Sequence, residues 1–167
     1  RRHTRYPLVT GVQTCALPIS RIDGVDAIAA PKDLRARIAY AGHQPQLYRG
    51  LTARENLALH LRLHGVAADP VALLERVGLA DRADDRIDGF SRGMLQRLAL
   101  ARATAHAPAL LILDEPASGL DADGRALLDA TLRSGLGTRT QLVASHDEGL
   151  ADRLGARAVH LDAGSLA

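Results

Sequence analysis

The stretch "LLILDEPASGLD" (residues 110–121) decides the fold. Leu110 to Leu113 form a short apolar run that ends in two adjacent carboxylates, Asp114 and Glu115. A run of this length and composition is typical of a strand that is buried on both faces of a parallel sheet. In open α/β sheets, ligands bind outside the carboxyl ends of the strands. The stretch therefore predicts a parallel α/β fold with a ligand or metal site after this strand.

The rest of the chain alternates between short apolar runs and helical patterns. The candidate strands are residues 37–42, 109–113, 140–145 and 157–162, and the first three are predicted to be buried. The candidate helices are residues 70–79, 91–106, 122–133 and a stretch from about 147, and the first three have N-cap candidates in Asp69, Ser91 and Asp121. Residues 82–88 are a candidate polar connector. Alternation of this kind predicts a largely parallel sheet with helices packed around it.

Residues 51–65 carry two conflicting signals. Four leucines alternate with other residues from position 57 to 63, which is the period of a strand. Thr52 and Glu55, however, have the spacing of a helix capping box, and Gly65 stands where a helix would end. Leucine is also a strong helix former, so we predict a helix.

Composition and charge exclude several classes of protein. Three of the 21 basic residues and none of the 19 acidic residues lie in the first 20 positions, so basic and acidic residues are nearly equal in number in the rest of the chain. That balance does not suit a nucleic-acid-binding surface, so no nucleic-acid partner is predicted. The single cysteine, Cys15, permits no intrachain disulfide and indicates a reducing compartment. The apolar runs are too short to span a membrane.

A second candidate strand also ends in polar residues, the sequence Ser145-His146-Asp147. In a parallel sheet this end and the Asp114-Glu115 end can lie side by side. Two acids and a histidine would then suit a phosphate and magnesium site. Each piece alone has an ordinary explanation, a capping turn or a surface histidine, and only the combination favours chemistry.

Several motifs occur together and in order, and with them the chain resembles the nucleotide-binding domain of ABC transporters. They are "GHQPQLYRGLTARENL" (42–57), "FSRGM" (90–94), "LLILDE" (110–115), "SGLD" (118–121) and His146. They resemble the Q-loop, the signature, the Walker B strand, the D-loop and the switch histidine. The resemblance covers residues 21–167 and implies a P-loop NTPase-type sheet with a helical subdomain inserted at about residues 50–105.

The resemblance implies ATP and Mg²⁺ as ligands and a role for each matching residue. Asp114 would hold Mg²⁺ through water, with Gln44 as a second metal and nucleotide contact. Glu115 would act as the general base on the attacking water, and His146 would bind the γ-phosphate. The Q-loop alignment leaves two candidates open, because His43 falls in the usual glutamine column; Gln44 is favoured.

The resemblance also implies partners. Ser91 and Gly93 would present a hydroxyl and a helix N-terminus to the γ-phosphate of a second domain, and a helix start is an anion site. Asp121 would help to join the two domains head to tail. A transmembrane subunit would hold the pair at the cytoplasmic face of the cell membrane. Arg92 and Met94 depart from the commonest signature and narrow the subfamily.

Among the subfamilies, the chain most resembles the haem-exporter ATPase of cytochrome c biogenesis. The "GHQP" element (42–45) carries most of that resemblance. An ATPase of another ABC exporter and a degenerate, non-catalytic nucleotide-binding module stay open. A soluble ABC ATPase of DNA repair or translation is disfavoured, because the spacing from Gln44 to Ser91 leaves no room for a long coiled coil.

The motif G-x-x-x-x-G-K-[ST] does not occur in the sequence. Its glycines and lysine would cradle the phosphates of ATP. The best match starts at Gly11, but it has Ala16 and Leu17 where glycine and lysine are needed. Lys32, the only lysine, has no glycine loop around it.

Residues 1–20 resemble a translated sequencing adaptor; a genuine, divergent N-terminus is the alternative. With the adaptor interpretation, native sequence begins near Arg21 and the first strand and phosphate loop lie upstream of it. We then expect residues 21–167 alone to bind ATP poorly and to hydrolyse it negligibly. We also expect the chain to be unstable or to aggregate, because a core without a central strand exposes apolar surface and unpaired edges.

Overall fold

The computed structural model describes residues 21–22, 24–26, 31–159, 161–162 and 165–166, and the adaptor-like segment 1–20 lies outside them. The strands are β1 (Arg21–Ile22), β2 (Val25–Asp26), β3 (Ile38–Ala41), β4 (Leu110–Asp114), β5 (Thr140–Ala144), β6 (Leu161–Asp162) and β7 (Ser165–Leu166). The α-helices are α1 (Lys32–Ala36), α2 (Ala53–His64), α3 (Pro70–Glu75), α4 (Arg92–Thr104), α5 (Ala122–Ser134) and α6 (Leu150–Leu154).

The main sheet has three parallel strands in the order β3-β4-β5, which confirms the predicted parallel α/β fold. Its register sets Ala41 opposite Leu113 and Asp114 opposite Ala144, so all three strands end at one edge. Two short antiparallel pairs, β1-β2 and β6-β7, complete the described strands.

Strand β4 is buried as its apolar run predicts, but the prediction of a buried β5 was wrong. Alternate residues of β5 are exposed, and Leu142 has 54% of its surface accessible. Within the described residues β5 pairs only with β4, and one of its faces is covered by α5, where the Gln141 side-chain amide donates to the Leu132 carbonyl at 2.9 Å. The sequence run was apolar enough for two covered faces, but only one is covered here.

The capping signals decide residues 51–65 in favour of a helix. The Thr52 hydroxyl accepts the Glu55 amide at 3.1 Å, and the Glu55 carboxylate accepts the Thr52 amide at 2.8 Å. Gly65 ends α2 in the left-handed conformation, with a φ of 66°. Leu57 and Leu61, four residues apart, are buried, so helical spacing selects which of the alternating leucines face the core.

The helix predicted over residues 70–79 is shorter than expected. Asp69 caps α3 by accepting the Val71 amide at 2.9 Å, as its sequence predicts, but the helix ends at Glu75. Gly78 then adopts a φ of 64°, which turns the chain away. The polar connector that follows includes Ile87 with 1% of its surface accessible, so it is anchored in the core.

The end of the chain also differs from expectation. Helix α6 begins at Leu150, later than predicted, because the Asp147 carboxylate first accepts the Gly149 amide at 3.1 Å in a turn. The strand predicted over residues 157–162 is confined to β6, which pairs with β7 in a hairpin.

Two hydrophobic clusters form the core. The helical core lies between α2, α3, α4 and the connector, and contains Ala53, Leu57, Leu61, Leu73, Leu74, Val77, Leu79, Ala83, Ile87, Leu98 and Ala101. The sheet core lies between the main sheet, α4, α5 and α6, and contains Ala39, Ala41, Leu100, Ala103, Leu111, Leu113, Leu120, Leu128, Leu132 and Leu150. Helix α4 contributes to both. No helix of the described residues is long and apolar enough to cross a membrane.

Three histidines meet where α2 passes the C-terminal end of α4. His60 and His64 lie one turn apart on α2, and His106 follows α4. The ring centroids of His64 and His106 are 4.0 Å apart in a stacked arrangement, and that of His60 lies 4.4 Å from His64 and 5.1 Å from His106. We call these three residues the histidine cluster.

Burial is the main cause of the shifted pKa values in the histidine cluster. It lowers the pKa of His60 and of His106 from 6.5 to about 4. The neighbouring charges of His64 and Arg102 lower both further, and the nearby backbone of Ile38 partly offsets the effect on the pKa of His106. Both imidazoles are therefore neutral at pH 7.

These pKa values predict that the folded chain loses stability as the pH falls from 6.5 to 4. In that range the unfolded chain binds more protons than the folded chain, so acid favours unfolding. The contribution is complete above pH 6.5. Urea unfolding in EDTA at several pH values measures it, and His60→Gln/His106→Gln should reduce the pH slope. Carboxylates contribute equally in both proteins, so an unchanged slope in the double variant would contradict the prediction.

Candidate functional site

Glu115 and His146 lie together at the carboxyl edge of the main sheet. Glu115 Oε1 is 3.3 Å from His146 Nε2, and the Glu115 amide donates to the Ala144 carbonyl at 2.9 Å. Both contacts follow from the parallel pairing of β4 with β5. The predicted proximity of the two strand ends is confirmed. Glu115 is partly shielded, with 28% of its side chain accessible, whereas the His146 side chain is 97% accessible and open to a ligand.

The backbone of Glu115 is strained. Its φ of 50° lies in the left-handed region, which non-glycine residues seldom adopt. That conformation costs roughly 1–2 kcal/mol, and such residues cluster at functional sites. The turn directs the chain out of β4 while the Glu115 side chain stays beside His146.

Asp114 is half-buried at the last position of β4. Burial, and second the charge of Asp114, raise the pKa of the Tyr40 hydroxyl on the neighbouring strand β3. The Asp114 carboxylate therefore lies close enough to Tyr40 on β3 for its charge to act on the Tyr40 hydroxyl. Carboxylate oxygen is a ligand type that Mg²⁺ prefers.

The segment after β3 reaches the same edge. Gln44 lies three residues beyond the end of β3 and is exposed. Among the residues that the structure describes, Gln44 makes no hydrogen bond to Asp114 or Glu115. His43, the alternative candidate, has its Nε2 3.5 Å from Nη2 of Arg92. His43 thus contacts the start of α4, Gln44 follows β3 without a hydrogen bond to the two acids, and the choice between the two candidates stays a prediction.

The start of α4 packs against the turn that follows β4. Ser91 caps the helix by accepting the Met94 amide at 3.2 Å, so its hydroxyl already has a partner within the chain. Arg92 donates to the Ser118 hydroxyl at 2.8 Å. A Cβ atom on Gly93 would lie 2.9 Å from the Gly119 carbonyl oxygen, so this approach requires glycine.

Asp121 caps α5, where its carboxylate accepts the Gly124 amide at 2.8 Å. The cap that the sequence predicted is confirmed. Its predicted role between two domains stays a prediction, because one carboxylate oxygen is already occupied within the chain.

The sequence did not predict a role in the site for two arginines, Arg92 and Arg153. Arg153 donates to Asp147 at 2.6 Å and to Asp129 at 3.1 Å, and so ties the turn after His146 to α5. Hydrogen bonding from Arg153 lowers the pKa of Asp147. Arg92 had a signal, since an arginine replaced an expected glycine, whereas no pattern in the sequence marked Arg153.

The family model described as ABC transporter matches residues 18–118, which include the candidate Q-loop, signature and Walker B segments. The chain belongs to the ABC transporter family. The match begins three residues before the boundary predicted at residue 21, and it leaves the adaptor interpretation of residues 1–20 a prediction.

Curated ABC relatives align with most of the chain. The fluoroquinolones export ATP-binding protein MT2762 of Mycobacterium tuberculosis is 40% identical over 124 residues, which cover 73% of this chain and 41% of that protein. Nod factor export ATP-binding protein I of Rhizobium meliloti is 35% identical over 163 residues, which cover 94% of this chain and 49% of that protein. The chain thus spans less than half the length of these relatives.

A solved ABC structure confirms the predicted fold class. The ATP-binding cassette MJ0796, in a dimeric post-hydrolysis state bound to ADP and Pi, superposes with a TM-score of 0.69 at 25% identity. The superposition covers 79% of this chain and 64% of that one.

The contact of the ABC signature with the turn after β4 predicts opposite effects at two glycines. Alanine at position 93 gains up to ~1 kcal/mol of helix propensity but meets the Gly119 carbonyl, and overpacking costs roughly 1–3 kcal/mol. Gly93→Ala should therefore lower the free energy of unfolding by about 1 kcal/mol. The matched control is Gly89→Ala, where no atom lies within 4 Å. Urea unfolding should find this control neutral or slightly stabilised, and an equal loss in both variants would contradict the contact.

Proposed function

We propose that this chain is part of the ATP-binding subunit of an ABC exporter, which hydrolyses ATP to drive a membrane partner. The observation that carries the proposal is the Glu115–His146 contact at the carboxyl edge of the sheet, with Asp114 beside it. Membership of the ABC transporter family supports it, and so do relatives whose names are those of export ATP-binding proteins.

Each site residue has a chemical role in this proposal. Glu115 accepts the proton of the attacking water at a carboxylate oxygen, and its partial burial keeps that oxygen in place. His146 donates a ring N–H to the γ-phosphate, and its exposed side chain can turn from Glu115 toward the phosphate. Asp114 and Gln44 supply oxygen ligands for Mg²⁺. When bound, the ion neutralises charge on the transferred phosphoryl group.

The oxygen donors fit Mg²⁺, but the phosphate-binding half of the site is not among the described residues. They include no glycine-rich phosphate loop, and Lys32 lies at the start of α1. We therefore propose no path for binding of the α- and β-phosphates by this chain.

The proposed assembly is a head-to-tail pair with a second nucleotide-binding domain, held by a transmembrane subunit at the cytoplasmic face of the membrane. The helix start at Ser91 and Gly93 is the part offered to the partner's γ-phosphate, and Asp121 lies at the same contact. The dimeric state of the similar cassette MJ0796 supports this arrangement.

The names of the relatives favour an exporter of another substrate over the haem exporter. The two reported above are named for fluoroquinolones and for Nod factor. We therefore propose an exporter of a substrate other than haem, such as a drug-like compound or a lipid-linked saccharide. A degenerate module that only completes a partner's site is the alternative, and the Glu115–His146 contact disfavours it, because a non-catalytic module need not keep both residues.

The experiment is phosphate release and substrate efflux in membrane vesicles that contain the transporter assembled from full-length subunits that include residues 21–167. MgATP-dependent phosphate release well above that of the Glu115→Gln variant is expected, together with efflux of drug-like compounds or lipid-linked saccharides in preference to haem. An assembly that effluxes substrate but is insensitive to changes at Glu115 and His146 would favour the degenerate module. An assembly without either activity would contradict the proposal.

A further inference from the structure

The histidine cluster lies outside the candidate nucleotide site and takes no part in the proposed hydrolysis. It joins two elements of the fold, α2 and the segment between α4 and β4. Each of the three side chains is half-buried. Three imidazoles in contact, without a carboxylate among them, are an unusual way to fill space between two helices.

The spacing of the ring nitrogens is close to that of a metal site. One nitrogen from each ring lies within 4.8 Å of the other two, and Nε2 of His60 is 3.1 Å from Nδ1 of His106. A tetrahedral ion with metal–nitrogen bonds of roughly 2.0–2.1 Å separates its ligand nitrogens by about 3.3 Å. His60 Nε2 and His106 Nδ1 form a hydrogen bond at slightly less than that separation, so both rings must turn to face one ion, and the third ring needs a shift of at most about 1.5 Å.

The local fold positions these rings for one ion. His60 and His64 are four residues apart on α2, and residues with this spacing share one face of a helix. The same spacing supplies both histidine ligands in helical zinc motifs. His106 enters from the other side of the interface, after the end of α4, so the three donors converge from two directions.

The His106 ring has one nitrogen that the fold leaves unpaired. Nε2 of His106 is fully buried and has no hydrogen-bond partner, whereas most such atoms in folded proteins have one. Its Nδ1 is the atom that faces His60. With Nδ1 on a metal ion, the proton of the neutral ring would lie on Nε2, so an ion would fix the tautomer of this ring.

We propose that His60, His64 and His106 form a binding site for a divalent transition metal ion, Zn²⁺, with a fourth position open to water. Imidazole nitrogen suits Zn²⁺, Cu²⁺ and Ni²⁺, whereas Mg²⁺ and Ca²⁺ need oxygen ligands. The site is therefore chemically distinct from the Mg²⁺ site proposed at Asp114.

Arg102 sets a limit on the affinity. Its guanidinium lies close enough for its charge to act on His60 and His106, and its Nε is buried without a hydrogen-bond partner. This positive charge opposes a cation, so we expect micromolar affinity, weaker than that of structural zinc sites. An anionic ligand in the fourth position, such as hydroxide, would pair with Arg102.

Zinc would join α2, the first helix of the helical core, to the segment that leads into β4. Binding to the folded state alone stabilises a protein in proportion to the logarithm of metal concentration. The concentration of Zn²⁺ would therefore change the stability of the contact between the helical core and the segment that leads into β4.

The test uses the full chain without a polyhistidine tag, purified in EDTA and dialysed. Calorimetric titration with ZnCl₂ should find one site of micromolar dissociation constant, and Co²⁺ should give the visible absorption of a four-coordinate complex. His60→Gln and His106→Gln should each weaken Zn²⁺ binding by at least the roughly 10–100-fold that loss of an outer-shell partner costs. His160→Gln, which removes one histidine and keeps all three proposed ligands, should bind as the unmodified chain does.

Two further measurements test the proposal without removing a ligand, so they do not depend on the folding of the histidine variants. In the unmodified chain, nitrogen NMR should show that Zn²⁺ shifts the rings of the histidine cluster ahead of the chain's other four histidines. Arg102→Gln, which keeps all three ligands, should tighten binding. The proposal is overturned if Zn²⁺ binding is millimolar or weaker, if folded cluster variants bind as well as the unmodified chain, or if the shifts appear on other histidines.

Discussion

In a transporter assembled from full-length subunits that include residues 21–167, replacing Glu115 by glutamine is expected to lower the rate of ATP hydrolysis roughly 1,000-fold, the usual scale for loss of a general base. Glutamine keeps the size of the side chain and an oxygen that faces His146. Its amide cannot take a proton from water at neutral pH. Glutamate and glutamine have the same unbranched stem next to the backbone, so the left-handed conformation at position 115 costs both residues the same free energy. Phosphate release measures the rate, and nucleotide binding should be retained.

The matched control for this variant is Glu148→Gln. Glu148 is an exposed carboxylate two residues beyond His146, so its loss changes the charge of the site equally. The control should retain nearly the full rate of hydrolysis. Equal losses in the two variants would indicate an effect of charge alone, and a loss below tenfold at Glu115 would exclude it as the general base.

Replacing Leu111 by alanine lowers the free energy of unfolding of the chain by about 3 kcal/mol, which is typical for a fully buried leucine. Leu111 lies in the central strand β4 and has 0% of its surface accessible. Its removal leaves a cavity in the sheet core, between two strands and the helices that cover them. The neighbouring backbone is hydrogen-bonded on both sides, so the cavity cannot collapse.

The control is Leu142→Ala on the adjacent strand β5. It removes the same atoms from a side chain that has 54% of its surface accessible, and a loss below about 1 kcal/mol is expected. Urea unfolding of both variants at pH 7 measures the difference. A loss at Leu142 equal to that at Leu111 would mean that the exposed face of β5 is covered in solution, as it would be in a self-associated chain.

Local signals predicted much of this fold. The capping box of Thr52 and Glu55, the cap at Asp121 and the apolar run of β4 each depend on residues that are close in sequence. These interactions form within one or two turns, so a pattern in the sequence can encode them completely. The alternation of strands and helices predicted the parallel sheet, in which Glu115 and His146 lie at one edge.

Contacts between distant segments could not be predicted in the same way. The burial of β5 depends on which elements pack against each of its faces. The apolar run of β5 does not determine which elements these are. Arg92 meets Ser118 across 26 residues of sequence, and Arg153 meets Asp129 across 24. The histidine cluster joins residues 46 positions apart and left no signal beyond the His60–His64 spacing.

Helix α4 supplies buried residues to both the helical core and the sheet core. Leu98 and Ala101 face the first, and Leu100 and Ala103 face the second. Neither core can open without exposing apolar surface that the other also covers, so the two halves should melt in one cooperative transition. Helix α4 should therefore transmit mechanical force between the two cores, so a pulling force applied to the helical core also loads the sheet core.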